Sequence, residues 1–334
     1  MYSVYQHWDK LKVCIVGRSY PPEFYSYITN PRVRNVMERI AIETEEDFQK
    51  LIKLLESFNV KVLRPELEDS IEYYKKSDGK YISPPMTPRD YGGMFGEKFY
   101  FSPDLRYKKI FKHVREVGNK IYFRNTINHD INTAFITRVG KDLYFGTMPG
   151  PEYDLNLSYK LKLFPKYRHH IVNTQGHNDG CFCPVIPGLI ISLFDIQTYE
   201  KTFPGWEVIY LPNQSWDRVE PFLKLKDKNK GKWWMPGEEL NDDFTDFVEG
   251  WIDHWVGYVE ESVFDVNMLV IDKKNVVCNN YNKAVFDACE RHGITPHILN
   301  FRHRYFWDGG LHCITSDLDR EGVMEDYFPE RGEP

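Results

Sequence analysis

The feature that most constrains the fold of this chain is a short unit that recurs along it. Five segments share a Gly, Asn or aromatic residue followed by a run of strand-forming residues: 59–63, 118–123, 167–172, 205–210 and 293–299. Between them lie four strand–turn–strand candidates, at 94–101, 135–145, 182–193 and 268–278, each with a tight turn between apolar runs. Recurrence of one supersecondary unit predicts a fold built from similar modules.

The two ends of the chain supply the strands that this repeat leaves without partners. Residues 11–17 form an apolar strand candidate, and residues 311–315 form an incomplete fifth unit at the other end. Pairing the two would close a ring of five units, which is how propellers protect their strand edges. The pattern therefore predicts a five-bladed α/β propeller with pseudo-five-fold symmetry and ββαβ-type repeats, in a single domain spanning residues 1–334.

Helical patterns precede most of the third strands of these units. The sequence Thr44-Glu45-Glu46-Asp47 resembles a capping box and predicts a helix start at Thr44, and residues 104–116 and 282–292 predict helices that each stop at a glycine. Apolar residues at helical spacing over 244–259 predict an amphipathic helix outside the repeat. We interpret 224–260 as an insertion that either packs on the ring or serves as a helical lid or subunit contact.

Composition and charge exclude several classes of protein. The chain has 334 residues, 42% hydrophobic and 16% aromatic, and a net charge of −6, which favours a large core and argues against nucleic-acid binding. The sequence contains no run of about 18 apolar residues, so we predict no membrane-spanning helix. The first residues lack a signal-peptide pattern, and six cysteines are too few for a disulfide scaffold, so we predict a reduced protein in the cytoplasm.

Polar residues gather between the third strand of one unit and the hairpin of the next, where ring symmetry would bring them to one cavity. They are Arg89, Asp90, Asp130, Asn132, His177, Asn178, Asp179 and residues 309–313. Cys313 with His177 fits a thiol nucleophile and its base. Two carboxylates, Asp90 and Asp179, would complement a guanidinium cation. Gly309 and Gly310 would let a substrate approach the backbone closely.

Each of these residues also has a plain structural interpretation. A lone cysteine on a strand is commonly a small buried hydrophobic residue, and a lone histidine is commonly a hydrogen-bonded structural group. Arg89 and Asp90 could form a surface ion pair of little energetic value. Cys181 and Cys183 suggest a zinc site, but alternate residues of a strand point to opposite faces, so we predict no metal.

Taken in order, the motifs of this chain resemble the amidinotransferase branch, including glycine amidinotransferase, of the guanidino-group-modifying superfamily. The motifs that carry the resemblance are Trp8-Asp9-Lys10-Leu11, Pro88-Arg89-Asp90, His177-Asn178-Asp179 and the segment from Gly309 to Cys313. The resemblance implies a propeller of five pseudo-repeats, a nucleophilic Cys313 and a guanidinium-holding Asp90. In that family an acidic residue orients the catalytic histidine. The corresponding position in this chain is Asn132, and the alternative is that Asp130 takes this role.

The resemblance implies an arginine-dependent amidinotransferase that works through a covalent amidino-cysteine, releases ornithine, and passes the amidino group to an acceptor amine such as glycine. Such an enzyme needs no metal or organic cofactor. A hydrolase of arginine or a related guanidino compound, and a silent guanidino-binding protein, are the alternatives. Arg89, Arg106 and Arg302 are further candidates for substrate binding, the last two for a substrate carboxylate. A homodimer is the default expectation for a cytosolic enzyme.

Overall fold

The described part of the chain contains five small sheets of three strands each, with helices between the strands. The computed structural model describes residues 1–77, 79, 81–101, 105–123, 132–147, 151–174, 176–193, 199–211, 235, 237–238, 240–251 and 263–334. The strands are β1 (Lys10–Val16), β2 (Lys61–Leu63), β3 (Gly92–Phe95), β4 (Lys98–Phe101), β5 (Lys120–Phe123), β6 (Ile136–Val139), β7 (Asp142–Gly146), β8 (Arg168–Val172), β9 (Phe182–Ile186), β10 (Leu189–Leu193), β11 (Glu207–Leu211), β12 (Leu269–Asp272), β13 (Asn275–Cys278), β14 (Thr295–Ile298) and β15 (Thr315–Glu321). The helices are α1 (Pro31–Ser57), α2 (Pro88–Tyr91), α3 (Lys108–Glu116), α4 (Pro151–Leu163), α5 (Asp242–Trp251), α6 (Val263–Val266), α7 (Lys283–Arg291) and α8 (Arg304–Trp307).

Four of these sheets repeat one topology. An antiparallel hairpin is followed by a third strand that lies parallel to the second, giving the orders β3-β4-β5, β6-β7-β8, β9-β10-β11 and β12-β13-β14. A tight turn suffices for the antiparallel pair, and Gly96 and Gly140 in two of these turns adopt a positive φ. A parallel pair needs a crossover, which α3, α4 and α7 provide in three blades.

The fifth sheet joins the two ends of the chain. Strand β1 pairs antiparallel with β15, from Lys10 opposite Glu321 to Val16 opposite Thr315, and parallel with β2. The predicted five-bladed α/β propeller and its closing pair are thus confirmed. The last strand, however, was predicted at 311–315 and begins only at Thr315. Residues before it form a turn, in which the Ile314 amide donates to the Gly310 carbonyl at 3.0 Å.

The first helix begins earlier than the sequence predicted. Asn30 caps it by accepting a hydrogen bond from the Arg32 amide, with Pro31 in the first turn, and its buried face starts at Val33. The capping-box prediction at Thr44 was therefore wrong, because Thr44 lies inside the helix. Its hydroxyl accepts a hydrogen bond from the Trp307 indole at 2.8 Å. Tertiary packing explains why a polar residue interrupts this buried face.

Part of the amphipathic helix predicted over 244–259 is described as α5. Phe244 and Val248 are buried in a cluster with Val36 and Met37 of α1. In this part the helix packs on the ring, as one of the two interpretations had it. Residues 224–234, 236, 239 and 252–262 lie outside the described residues, so the assignment of 224–260 as an insertion or lid stays a prediction. No helix in the described ranges is long and apolar enough to cross a membrane.

Candidate active site

One end of the propeller collects the polar residues that precede the first strand of each blade. Asp90 lies just before β3, Asn132 before β6, His177 and Asp179 before β9, Asn267 before β12, and Cys313 before β15. Because the blades repeat around one axis, residues far apart in the sequence meet there. The gathering of Asp90, His177, Asp179 and Cys313 matches the arrangement expected from the repeat.

Cys313 is buried and hydrogen-bonded on both sides. Its thiol donates to Oδ2 of Asp179 at 3.3 Å, and its sulfur accepts from Nδ2 of Asn267 at 2.9 Å. Burial raises the pKa of the Cys313 thiol well above its ordinary value, and the negative charges of Asp179 and Asp90 raise it further. In the free protein this cysteine is therefore a neutral thiol, and not half of a thiolate–imidazolium pair.

Asp179 receives a second hydrogen bond, from its neighbour in space His312. The His312 Nδ1 lies 2.8 Å from Oδ2 of Asp179. Burial, followed by the positive charge of Arg89, lowers the pKa of His312 to about 4, so a neutral imidazole donates this bond at neutral pH. Burial alone would raise the pKa of Asp179, but the hydrogen bond from His312 and the charges of His312, His177 and Arg89 together outweigh it, and that pKa is about 2. Asp179 is thus a permanent anion beside the thiol.

Asn267 is a site residue that the sequence analysis missed. Its Nδ2 donates to the Asp179 carbonyl at 3.1 Å and to the Cys313 sulfur, while its Oδ1 accepts from the amides of His312 at 2.8 Å and Cys313 at 3.2 Å. A Cβ on Gly310 would come within 2.6 Å of that Oδ1, which explains the glycine there. The signal available in the sequence was symmetry, since Asn267 precedes β12 as Asn132 precedes β6.

Asp90 and Asp179 each carry one buried oxygen with unused acceptor capacity. The Oδ1 atoms of both residues are buried and have no hydrogen-bond partner. Nδ1 of His177 lies 3.6 Å from Oδ1 of Asp90, too far for a hydrogen bond. Burial raises the pKa of Asp90 to about 6, although the nearby His177 opposes the rise. Buried carboxylate oxygens without donors are costly unless a ligand supplies the donors.

His177 lies between Asp90 and Asn132. Nδ2 of Asn132 is 2.9 Å from Nε2 of His177, and the Phe135 ring packs edge-on to the imidazole at 4.7 Å. Oδ1 of Asn132 accepts from the Ala134 amide at 3.0 Å, which orients the side chain with its NH₂ toward the ring. Nε2 of His177 is therefore the acceptor, and Nδ1 carries the proton. His177 forms no hydrogen bond with Cys313, and Asp130 lies outside the described residues.

Two of the arginines proposed for substrate binding have other partners. Arg89 is buried, and its guanidinium donates to the His312 carbonyl at 2.9 Å and to Asp317 at 3.1 Å. Arg302 donates to both carboxylate oxygens of Asp47 and to Glu46 on α1. We therefore correct both assignments, because these guanidinium groups bind other parts of the protein.

The remaining candidates lie close to the clustered residues. Arg106 is buried, donates to the Ser83 carbonyl, and has its guanidinium 5.6 Å from the ring of Tyr91, which follows Asp90. A Cβ on Gly309 would lie 3.5 Å from that of Cys313, so this glycine borders the thiol directly. Both residues remain candidates for substrate contact.

Comparison with proteins of known name finds amidinotransferases along nearly the whole chain. The chain is 22% identical over 395 residues to the mitochondrial glycine amidinotransferase of Xenopus laevis, covering 97% of this chain and 84% of that protein. It is 22% identical over 386 residues to the L-arginine:L-lysine amidinotransferase of Pseudomonas savastanoi pv. phaseolicola, covering 97% and 96%. No family model matches the chain.

Solved structures give the same result for the fold. SxtG, an amidinotransferase of the saxitoxin biosynthetic pathway from Microseira wollei, superposes with a TM-score of 0.70 at 17% identity, covering 98% of this chain and 99% of that one. The inosamine-phosphate amidinotransferase StrB1 of Streptomyces griseus gives 0.68 at 19%, with the same coverage. The N-terminal domain of ArgZ, a cyanobacterial arginine dihydrolase, gives 0.52 at 12%, covering 92% and 98%. The resemblance to the amidinotransferases is confirmed, and their fold is shared.

Proposed function

We propose that this chain is an amidinotransferase enzyme that moves the amidino group of arginine to an acceptor amine. The observation that carries the proposal is the pair of buried Oδ1 atoms of Asp90 and Asp179, which have no donor of their own and lie in one cluster with Cys313. A guanidinium is a delocalised cation with N–H donors in one plane, so it fits two carboxylates better than an ammonium does.

In the first half-reaction, arginine binding activates the nucleophile. The guanidinium offsets the charges of Asp179 and Asp90, the two residues that help to raise the pKa of the Cys313 thiol. His177 then releases the hydrogen bond from Asn132, and the Cys313 thiol gives its proton to the freed Nε2. The sulfur attacks the guanidinium carbon. The bond from that carbon to the side-chain nitrogen of ornithine breaks, and His177 returns the proton to the departing amine. The amidino group is left on sulfur as an isothiouronium cation.

In the second half-reaction, an acceptor amine replaces ornithine. His177 takes a proton from the acceptor nitrogen, which attacks the amidino carbon, and the carbon–sulfur bond breaks. The released thiolate recovers the proton, and the product carries the amidino group. If water attacked in place of the amine, the same intermediate would give urea. If ammonia left in place of ornithine in the first half-reaction, attack by water would give citrulline. Either product would make the protein a hydrolase. The two activities differ in the exclusion of water from the intermediate.

The test is incubation with arginine and a panel of primary amines, glycine and lysine included, followed by mass spectrometry. We expect ornithine together with an amidinated amine, and a mass increase of one amidino group on Cys313 in samples quenched without acceptor. Urea with ornithine, or citrulline, formed without acceptor would show hydrolysis in place of transfer. If arginine bound measurably but no amine gave turnover, the result would support a guanidino-binding protein without catalytic activity.

A pair of cysteine variants separates the nucleophile from a structural thiol. Cys313→Ala should abolish turnover and adduct formation while the fold survives, because the change from thiol to methyl is small. Cys289→Ala is the matched control, since that thiol is also buried and its pKa is also raised, to about 11, by burial. Substantial activity in Cys313→Ala would contradict the mechanism. A cytoplasmic location and a homodimer stay predictions.

A further inference from the structure

A large cavity lies at the rim of the first blade, apart from the cluster around Cys313. Its volume is about 960 Å³, at the upper end of the range for small-molecule sites. Four aromatic side chains and two arginines dominate its wall: Tyr20, Phe24, Tyr27, Tyr74, Arg18 and Arg64. The rings are held in place by one another, since Tyr20 and Phe24 stack at 3.8 Å and Tyr27 lies 4.9 Å from Tyr81.

The two arginines of this wall differ in their partners. Arg64 is bidentate with Glu45, at 2.6 and 3.0 Å, and also donates to the Gly17 carbonyl at 2.7 Å. The carboxylate of Glu45 lies close enough to act electrostatically on Arg18, but it is hydrogen-bonded to Arg64. The half-buried guanidinium of Arg18 has no hydrogen bond or ion pair with any residue that the structure describes.

A second polar group in the wall also lacks a partner. The Tyr27 hydroxyl is buried, and no described residue hydrogen-bonds to it. Burial, followed by the positive charge of Arg64, lowers the pKa of Arg18, while the charge of Glu45 opposes this. A half-buried cation and a buried hydroxyl without partners cost folding free energy, and an anion in the cavity would lower both costs.

The outer edge of the cavity limits which anions fit. Glu23, Glu68 and Asp69 line it and are exposed, so they repel an approaching polyanion but leave the inner guanidinium open to a single negative charge. We propose that this cavity is a second ligand site, for a monoanionic small molecule whose flat ring packs on the tyrosines and whose carboxylate binds Arg18 and the Tyr27 hydroxyl. This proposal does not depend on the chemistry at Cys313.

The backbone places this site next to the catalytic loop. The Gly17 amide donates to the Ile314 carbonyl at 2.8 Å, and the Arg18 amide donates to the Pro85 carbonyl at 3.0 Å. Ile314 follows Cys313, and Pro85 precedes the Asp90 turn. The segment that carries Arg18 is therefore hydrogen-bonded to both halves of the candidate active site.

The test is calorimetric titration of the full-length protein with benzoate, and with benzamide as the neutral probe of the same shape. We expect benzoate to bind with one-to-one stoichiometry and benzamide to bind at least about tenfold more weakly, because only the carboxylate forms charge-assisted hydrogen bonds. Saturating arginine should leave the benzoate affinity unchanged. Diphosphate, as a polyanion, should bind more weakly than benzoate.

Three variants locate the binding. Arg18→Gln should weaken benzoate binding about tenfold or more, and Tyr27→Phe, which removes only a hydroxyl, should weaken it severalfold. Arg34→Gln is the control, since Arg34 lies on the surface of α1 in an i,i+4 pair with Glu38. Equal affinities for benzoate and benzamide, displacement by arginine, no binding at millimolar concentration, or unchanged binding in both Arg18→Gln and Tyr27→Phe would each overturn the proposal.

Discussion

At the scale of single residues, two amide side chains organise the site. Asn267 uses both ends of its amide to join Asp179, Cys313 and the backbone before β15. Asn132 uses one end as the cap of a short turn and the other as a donor to His177. An amide that donates to a ring nitrogen favours the neutral imidazole, because an imidazolium has no lone pair to accept the bond. A carboxylate in the same place would favour the imidazolium.

The first prediction concerns that difference. We expect Asn132→Asp to keep or raise the rate of turnover, because a carboxylate can accept from the protonated His177 and stabilise it. Asn132→Ala should slow turnover, since it removes the group that orients the ring. Steady-state kinetics with arginine measures both. If Asp130→Ala abolished activity while Asn132→Ala were neutral, the orienting role would belong to Asp130.

The second prediction concerns the two carboxylates that would hold the guanidinium. Asp90→Asn and Asp179→Asn should each weaken arginine binding by about 3–5 kcal/mol, because a buried cation loses an anionic partner. Normal arginine kinetics in both variants would remove guanidinium from the proposed function.

The third prediction is a pH dependence that belongs to Asp90. Its pKa is raised to about 6 by burial, so the carboxylate takes up a proton, and loses its attraction for a guanidinium, as the pH falls through about 6. Asp179, with a pKa of about 2, stays ionised over the same range. We expect kcat/KM for arginine to fall below about pH 6 in the wild type. In Asp90→Asn, kcat/KM should be lower at every pH, and the fall below about pH 6 should be absent. A retained step would assign it to another group.

At the scale of elements, strand β15 couples the site to the core. Asp317 on this strand is fully buried and accepts from three arginines: Arg89 before β3, Arg138 on β6 and Arg320 on β15 itself. Arg89 also holds the His312 carbonyl, so the loop before β15 is tied to the same network. One carboxylate thus links blades that are distant in sequence and lies directly beneath the candidate active site.

The fourth prediction follows from this network. Asp317→Ala should lower the free energy of unfolding by about 3–5 kcal/mol, because three buried guanidinium groups lose their shared anion. Glu321→Gln, on the same strand, removes an exposed pair with Lys12 at 3.1 Å and should cost less than about 1 kcal/mol. Chemical denaturation of the two variants provides the comparison. Similar losses would show that the network contributes no more than a surface ion pair.

At the scale of the whole molecule, the ring is closed by strands from opposite ends of the chain. Because β1 pairs with β15 on one side and β2 on the other, opening that blade breaks both pairings and exposes two strand edges. The fifth prediction is that amides of β1 exchange hydrogen with the same free energy as those of the β9–β10 hairpin, through global unfolding alone. Hydrogen exchange resolved by residue measures this. Markedly faster exchange in β1 would show that the closing blade opens independently.

The sequence by itself determined the hairpins, the turns within them and the pairing of the two ends, although the last strand begins at Thr315, later than predicted. Apolar runs broken by turn glycines specify hairpins locally, and a strand left over at each end can only be satisfied by the other. The sequence also determined which residue types gather at one end of the axis, because equivalent positions in a symmetric ring converge. That is why Asp90, His177, Asp179 and Cys313 could be named before any coordinates.

Only the tertiary structure decided how the polar groups are paired. Asn267 binds Cys313, which lies 46 residues away in sequence, and Asp179, which lies 88 residues away. No local sequence pattern predicts such contacts. For the same reason Arg89 and Arg302 were taken for substrate ligands, although buried acids already bind them. Helix α1 shows the same limit, since Thr44 resembles a cap in sequence but is a buried partner of Trp307 in the fold. Local sequence sets backbone conformation, whereas the partner of a buried polar group depends on which distant segments the fold brings together.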